Sequence, residues 1–339
     1  MSRIVFEDFH PGPLDVPGSV TLTADAIVAF ARAFDPQPFH IDESAAKETF
    51  AGGLIASGWH SCALLMRLVA DGFILNSSSM GAPGVEEVKW LKPVRPGDTL
   101  RDRCQILETK ESRSRPEMGF VRMRHELLNQ ADEPVMTQLN WMMMGRRDAA
   151  AIRANTNGEA VSPVANDPSR ATAQVEETVP ASAFFDDVAI GDTAELGSHT
   201  FAAEEIIRFA KAFDPQPFHT DPEAAQRSHF GGLCASGWHT AGIWMRLLVD
   251  RRKRMREAAA ARGEKPVAFG PSPGFRDLRW AKPVYADDTL AFRTKVVDKR
   301  LSASRPEWGL VLSHNTAHNQ NGELVYEFSG TGFVERRER

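Results

Sequence analysis

An acid and a base recur in this sequence at one fixed spacing. Asp35 is followed five residues later by His40, and Asp214 by His219. Each pair sits in a nearly identical stretch: FARAFDPQPFHID at 30–42 and FAKAFDPQPFHTD at 209–221, with eleven of thirteen positions the same. Asp and His are suitable proton carriers near neutral pH once their surroundings tune them. A pair kept in both copies suggests proton-transfer chemistry done twice. The intervening prolines bear on geometry, because a residue that precedes proline is pushed out of the α region. Pro36 and Pro38 therefore end the preceding helix at Asp35 and keep Gln37 extended. On a continuous helix an Asp and a His five apart would diverge; on an extended, kinked segment they can converge on one water.

A second shared motif follows: Ser57-Gly58-Trp59-His60 and Ser236-Gly237-Trp238-His239, each opening a long Ala-, Leu- and Met-rich run. A helix N-terminus presents unpaired N–H groups and partial positive charge. A glycine there lets a polar atom of a ligand approach the backbone closely.

These motifs belong to a duplication of most of the chain, and an internal repeat decides the fold before local reading does. Up to Leu68 and Leu247 the two copies match at an offset of 179; from Trp90 and Trp280 the offset is 190. The second copy thus has an 11-residue insertion between Leu247 and Phe275. For 339 residues this divides the chain into 1–144, a linker at 145–180 without aromatic residues, and 181–339. Each half is large enough for its own hydrophobic core. In the first half, apolar spacing predicts a helix over 24–34, a short helix after Asp42 and a long buried helix over 57–73. Strands are expected over 85–94, 99–108, 120–129 and 134–143, separated by turn residues such as Pro96-Gly97-Asp98. Helices followed by a run of antiparallel strands make an α+β fold.

Composition excludes several function classes. A net charge of −5 leaves no nucleic-acid footprint. No apolar run reaches the length of a membrane span. Three cysteines without ligand spacing offer neither a metal site nor a disulfide framework, which points to a reducing cytoplasm.

The Asp-Pro-Gln-Pro-Phe-His segment, its following Asp, the small-residue loop and the Ser-Gly that opens the long helix resemble the MaoC-like dehydratases. The (R)-specific enoyl-CoA hydratases are members of that family. The resemblance covers both halves. It implies a double hotdog, each half a curled antiparallel sheet around a long central helix, the two imitating a homodimer. It implies a lyase acting on the α,β double bond of an acyl thioester, as in fatty acid metabolism. No metal or redox cofactor is implied, coenzyme A being part of the substrate. Asp35 with His40, and Asp214 with His219, would hold the catalytic water. Gly58 and Gly237 would each offer a backbone N–H to the thioester oxygen. Loss of such an oxyanion donor typically costs about 10²–10³ in rate. The chain departs from the family pattern at Gln37 and Gln216, where Asn is frequent, and at Trp59 and Trp238, in a Ser-Gly-Trp where the family often has His-Gly-Met. Those residues, with Ser57 and Ser236, are expected to contact substrate.

Other residues have competing readings. Arg115 and Arg305, in a repeated Ser-Arg-Pro-Glu, are turn residues held by ion pairs or ligands for coenzyme A phosphates. The run Arg251-Arg252-Lys253-Arg254 with Arg256 is a solvated helix face or a phosphate-binding rim. His60 and His239 are expected to face polar neighbours. An acyl carrier protein in place of coenzyme A, and a higher homo-oligomer, remain open. So do two other functions: a hotdog that binds acyl thioesters without turnover, and a thioesterase.

Overall fold

The computed structural model describes residues 3–149 and 184–337. Nearly all of the expected linker lies outside these. The first half runs β1 (Gly12–Leu14), β2 (Val20–Thr21), α1 (Ala24–Phe34), α2 (Pro38–Ile41), α3 (Glu43–Lys47) and α4 (Gly58–Gly72), then β3 (Gly84–Trp90), β4 (Thr99–Glu111), β5 (Met118–Leu128) and β6 (Pro134–Gly145). The second runs β7 (Thr193–Thr200), α5 (Ala203–Phe213), α6 (Pro217–Thr220), α7 (Pro222–Arg227) and α8 (Gly237–Ala261), then β8 (Gly274–Trp280), β9 (Thr289–Leu301), β10 (Trp308–His318) and β11 (Leu324–Glu335). Helix α8 has 25 residues against 15 in α4, so the insertion is mostly an extension of the central helix.

All strands of the main path join one antiparallel sheet, ordered β1-β4-β5-β6-β3-β8-β11-β10-β9-β7. The halves meet where β3 pairs with β8, from Gly84 opposite Arg279 to Lys89 opposite Gly274. Each half thus covers what would be an open sheet edge in the other. The joint is tight at both ends. A Cβ on Gly84 would lie 2.0 Å from the Leu278 carbonyl oxygen, and one on Gly274 2.0 Å from that of Val88. Only glycine permits that approach.

The central helices are buried on most sides, and their hydrophobic core is shared. Trp59 of α4 stacks on Phe275 of β8 at 4.8 Å between ring centroids, and one cluster of buried residues spans both halves. The repeated Met-Arg-Leu has a cross-half role. Arg67, held by Asp71 at 2.6 Å, donates to the Lys211 carbonyl in the last turn of α5 at 2.9 Å. Arg246, held by Asp250, donates to the Arg32 carbonyl in the last turn of α1 at 2.7 Å. Each arginine caps the helix that delivers the other half's Asp, favourably placed against the helix dipole.

Candidate active site

Helix α1 ends where the sequence says it must. Asp35, before Pro36, has φ −151° and ψ 66°, and its N–H still closes the last turn on Ala31. Asp214 does the same after α5, with φ −147° and ψ 69°. The next step differs from an extended segment. Pro38 occupies the first position of α2, where its fixed φ suits a helix, and His40 therefore stands on a single helical turn. His219 stands likewise on α6. Asp42 then caps α3, accepting from the Ser44 and Ala45 N–H groups.

The carboxylate and imidazole converge in both copies. His40 Nε2 lies 3.4 Å from Asp35 Oδ2, and His219 Nε2 lies 3.5 Å from Asp214 Oδ2. All four residues are buried, from 3% to 6% exposed. The other ring nitrogen fixes the tautomer. His40 Nδ1 donates to the Ile55 carbonyl at 2.8 Å, and His219 Nδ1 to that of Cys234 at 2.7 Å. A carbonyl only accepts, so in the neutral ring Nδ1 carries the proton and Nε2 is free to take one.

Two donors orient each carboxylate. Gln37 Nε2 donates to Asp35 Oδ1 at 2.8 Å, and the Ser57 hydroxyl to Oδ2 at 2.6 Å. Gln216 and Ser236 do this for Asp214 at 3.0 and 2.7 Å. The serines were expected at the substrate. Instead Ser57 and Ser236 are buried, each capping its central helix by accepting from the N–H of Trp59 or Trp238. One hydroxyl thus fixes the helix start and the carboxylate together. Burial is the largest effect on the Asp35 carboxyl and pushes it up. When His40 takes up a second proton, its charge, with hydrogen bonds from His40, Ser57 and Gln37, outweighs burial and holds Asp35 below the ordinary carboxylate value.

Gly58 and Gly237 begin the central helices and line the cavities, but a neighbouring ring dictates the residue type. A Cβ on Gly58 would fall 2.3 Å from Trp90 Cε2, and one on Gly237 2.1 Å from Trp280 Cε2. The Trp90 indole N–H also donates to the Gly58 carbonyl at 3.0 Å. The Gly58 N–H, in the first turn of α4, has no acceptor among the described residues.

Each dyad opens into a cavity whose far wall comes from the other half. Asp35, His40, Gln37, Gly58 and Trp59 line one of about 1070 Å³, with Trp244, Arg252, Phe275 and Phe328 opposite. Asp214, His219, Gln216, Gly237 and Trp238 line one of about 270 Å³, with Leu65, His125, Gln138, Asn140 and Met142 opposite. The first half even reaches the second dyad: the Ser79 hydroxyl lies 3.1 Å from Gln216 Oε1.

The other expected residues fall in different places. Arg305 lines the larger cavity, near the Phe333 ring. Arg115 lines neither cavity; it is held in the β4–β5 turn by Glu117 at 3.1 Å. His60 faces an aromatic ring rather than polar neighbours, stacking on Phe30 at 4.3 Å, and burial pulls it down to about 3 so that it stays neutral. His239 stacks on Phe209 at 4.8 Å and also lies near Glu205. In the basic run, Lys253 and Arg254 are exposed, whereas Arg251 and Arg252 turn into the larger cavity. The buried Asp102–His125 pair at 2.7 Å carried no sequence signal, since the repeat has Phe292 and Asn315 there.

The MaoC like domain family model matches residues 6–126 and 186–312, one segment over each dyad. The chain belongs to this family. It carries the domain in tandem. Over 142 residues the chain is 30% identical to Uncharacterized protein YdeM of Bacillus subtilis, covering 42% of this chain and 92% of that one. Over 68 residues it is 44% identical to Mesaconyl-CoA hydratase of Cereibacter sphaeroides, a match that spans 20% of either protein. A conserved hypothetical protein of Mycobacterium tuberculosis with a double hotdog fold superposes with a TM-score of 0.71 at 14% identity, over 97% of this chain and 98% of that one. The fold is therefore a double hotdog, a pseudo-dimer within one chain. Among the described residues no helix is long and apolar enough to cross a membrane.

Proposed function

We propose that this chain adds water to, or removes it from, the α,β double bond of an acyl thioester, at two sites. The observation that carries this reading is the repeated geometry of the dyads: a carboxylate oxygen and an imidazole Nε2 3.4–3.5 Å apart, with each Nδ1 already committed to a backbone carbonyl. One water can donate to both. In the hydration direction the dyad takes a proton from that water as the new C–O bond forms at the β-carbon. The double-bond electrons move toward the thioester oxygen, where the Gly58 or Gly237 N–H meets the developing charge. The dyad then returns a proton to the α-carbon, and atoms and charge balance. Protons and bonding electron pairs move with no net gain or loss of electrons, so the step needs no redox group; coenzyme A enters as part of the substrate. An (R)-product and a cytoplasmic setting belong to the same reading. The match to a hydratase, together with buried acid–base pairs kept in both copies, favours turnover over passive binding.

Incubation with crotonyl-CoA tests it. Loss of enoyl absorbance without release of thiol is the expected result. Free thiol would make the chain a thioesterase, and binding without either change would make it an acyl-thioester-binding protein.

A further inference from the structure

The two cavities differ in one wall, and register shows why. Trp90 pairs with Met136, and Trp280 with Tyr326, so β6 and β11 correspond residue by residue. Met142 on β6 is buried and helps close the smaller cavity. Its counterpart on β11 is Gly332, and Asn140 corresponds to Gly330. The space that a methionine side chain fills in one cavity is open in the other. A guanidinium stands beside it: a Cβ on Gly332 would have Arg252 Nη2 as its neighbour at 4.0 Å. At the 179 offset Arg252 corresponds to Phe73, a buried core residue just past the end of α4. The extended α8 turns that position into a cation facing the cavity.

Arg252 is half-buried and stacks over the Phe269 ring at 4.1 Å. No carboxylate among the described residues is within ion-pair distance of it. The acids that line the same cavity are engaged elsewhere. Asp35 is held by Ser57 and Gln37, Asp187 pairs with Arg337 at 2.8 Å, and Asp192 accepts from the Ala189 N–H at 2.7 Å. Burial pulls the Arg252 pKa down, and Asp35 opposes this; at about 10 it remains charged near neutral pH. A cation withdrawn from water is costly unless an anion or a set of acceptors meets it. The planar fork of arginine suits a carboxylate.

We infer that the first site takes an enoyl thioester whose acyl chain ends in a carboxylate, and that Arg252 is the residue that pairs with it. The proposal rests on the reading of this cavity as an acyl-thioester site. It places the anion at the acyl end because the equivalent wall of the smaller cavity is the one Met142 closes. The smaller cavity has no such arginine among the residues that line it.

The test uses saturated analogues, so that binding is read apart from turnover. Calorimetry on the full chain compares glutaryl-CoA with valeryl-CoA, which has the same length but no carboxylate. The wild-type chain should prefer glutaryl-CoA at the first site. In Arg252→Gln that preference should collapse by about tenfold to a hundredfold, the range for losing a charge-assisted bond. Arg252→Lys, which keeps the charge and is the milder change for folding, should restore part of it. An unchanged ratio of affinities in both variants overturns the proposal. So does equal weakening of both ligands, which would assign Arg252 to a carrier phosphate. A chain that binds glutaryl-CoA through Arg252 yet leaves every enoyl-CoA unhydrated refutes the hydratase reading alone.

Discussion

Replacing Asp35 and Asp214 by Asn, singly and together, tests the dyads with little disturbance to the fold. The amide is isosteric. In Asp35→Asn the side-chain oxygen can still accept from Gln37 Nε2, and the new –NH2 can donate to the Ser57 hydroxyl, which also accepts from the Trp59 N–H. What the change removes is a group that can take a proton. General acid–base help is typically worth about 10²–10⁴ in rate, or roughly 3–5 kcal/mol of barrier. Hydration of crotonyl-CoA, small enough for either cavity, should fall by about half in each single variant if both sites turn it over equally. The double variant should fall by at least about 10². On longer acyl chains the balance shifts, because the cavity at Asp35 is about 1070 Å³ and that at Asp214 about 270 Å³. There Asp35→Asn should approach the double variant, and Asp214→Asn should cost little. A double variant that melts like the wild type and retains more than about a tenth of its rate on every substrate would refute the assignment of proton transfer to these residues.

Three further outcomes follow from the geometry. Ser57→Ala removes a helix cap and one donor to Asp35, so thermal unfolding at neutral pH should show a loss of about 1–2 kcal/mol. Asp35 is held below its ordinary pKa, so its stabilisation is present above the unfolded value and is lost as pH falls through the folded one. Without the serine the folded value rises, and in an Asp214→Asn background the acid limb of the pH–rate profile should move to higher pH; a limb that stays in place argues against Asp35 as its source. His125 is the opposite case. Burial works against its charge, but Asp102, with Cys104 next, outweighs burial and raises it to about 10. Its stabilisation is complete below the unfolded value of about 6.5 and is lost as pH rises through about 10. Wild-type stability should decline over that window, and Asp102→Asn should flatten the decline. Finally, Gly84→Ala at the β3–β8 joint forces a methyl group onto the Leu278 carbonyl. A loss of about 3 kcal/mol is expected in thermal unfolding, and an unchanged melting temperature would mean that the halves do not pair there.

Much of this protein was legible in its sequence because duplication made weak local signals strong. The offset of 179 marked two domains of one kind, and the prolines after Asp35 and Asp214 fixed where helices end, since proline acts on its neighbours through covalent geometry alone. The insertion was visible as a change of offset, and it is the extension of α8. The caps at Asp42 and Asp221 also needed only local hydrogen bonds.

Other features were decided by contacts between residues far apart in the chain. Ser57 turned from an expected substrate contact into a partner of Asp35, 22 residues away, because packing brings the start of α4 against the end of α1. Gly58 is glycine on account of Trp90, and the tautomer of His40 is set by a carbonyl at Ile55; neither has a local signature. Above all, each dyad faces a wall from the opposite half. Arg252 reads in sequence as one more charge in an exposed basic run, yet packing within the second half sets Gly332 beside it, and the β3–β8 pairing joins that wall to the cavity that holds Asp35. Local chemistry specified the acid, the base and the turn that aims them. The shape and charge of the space they act in came from long-range strand pairing, whose partners no single stretch of sequence contains.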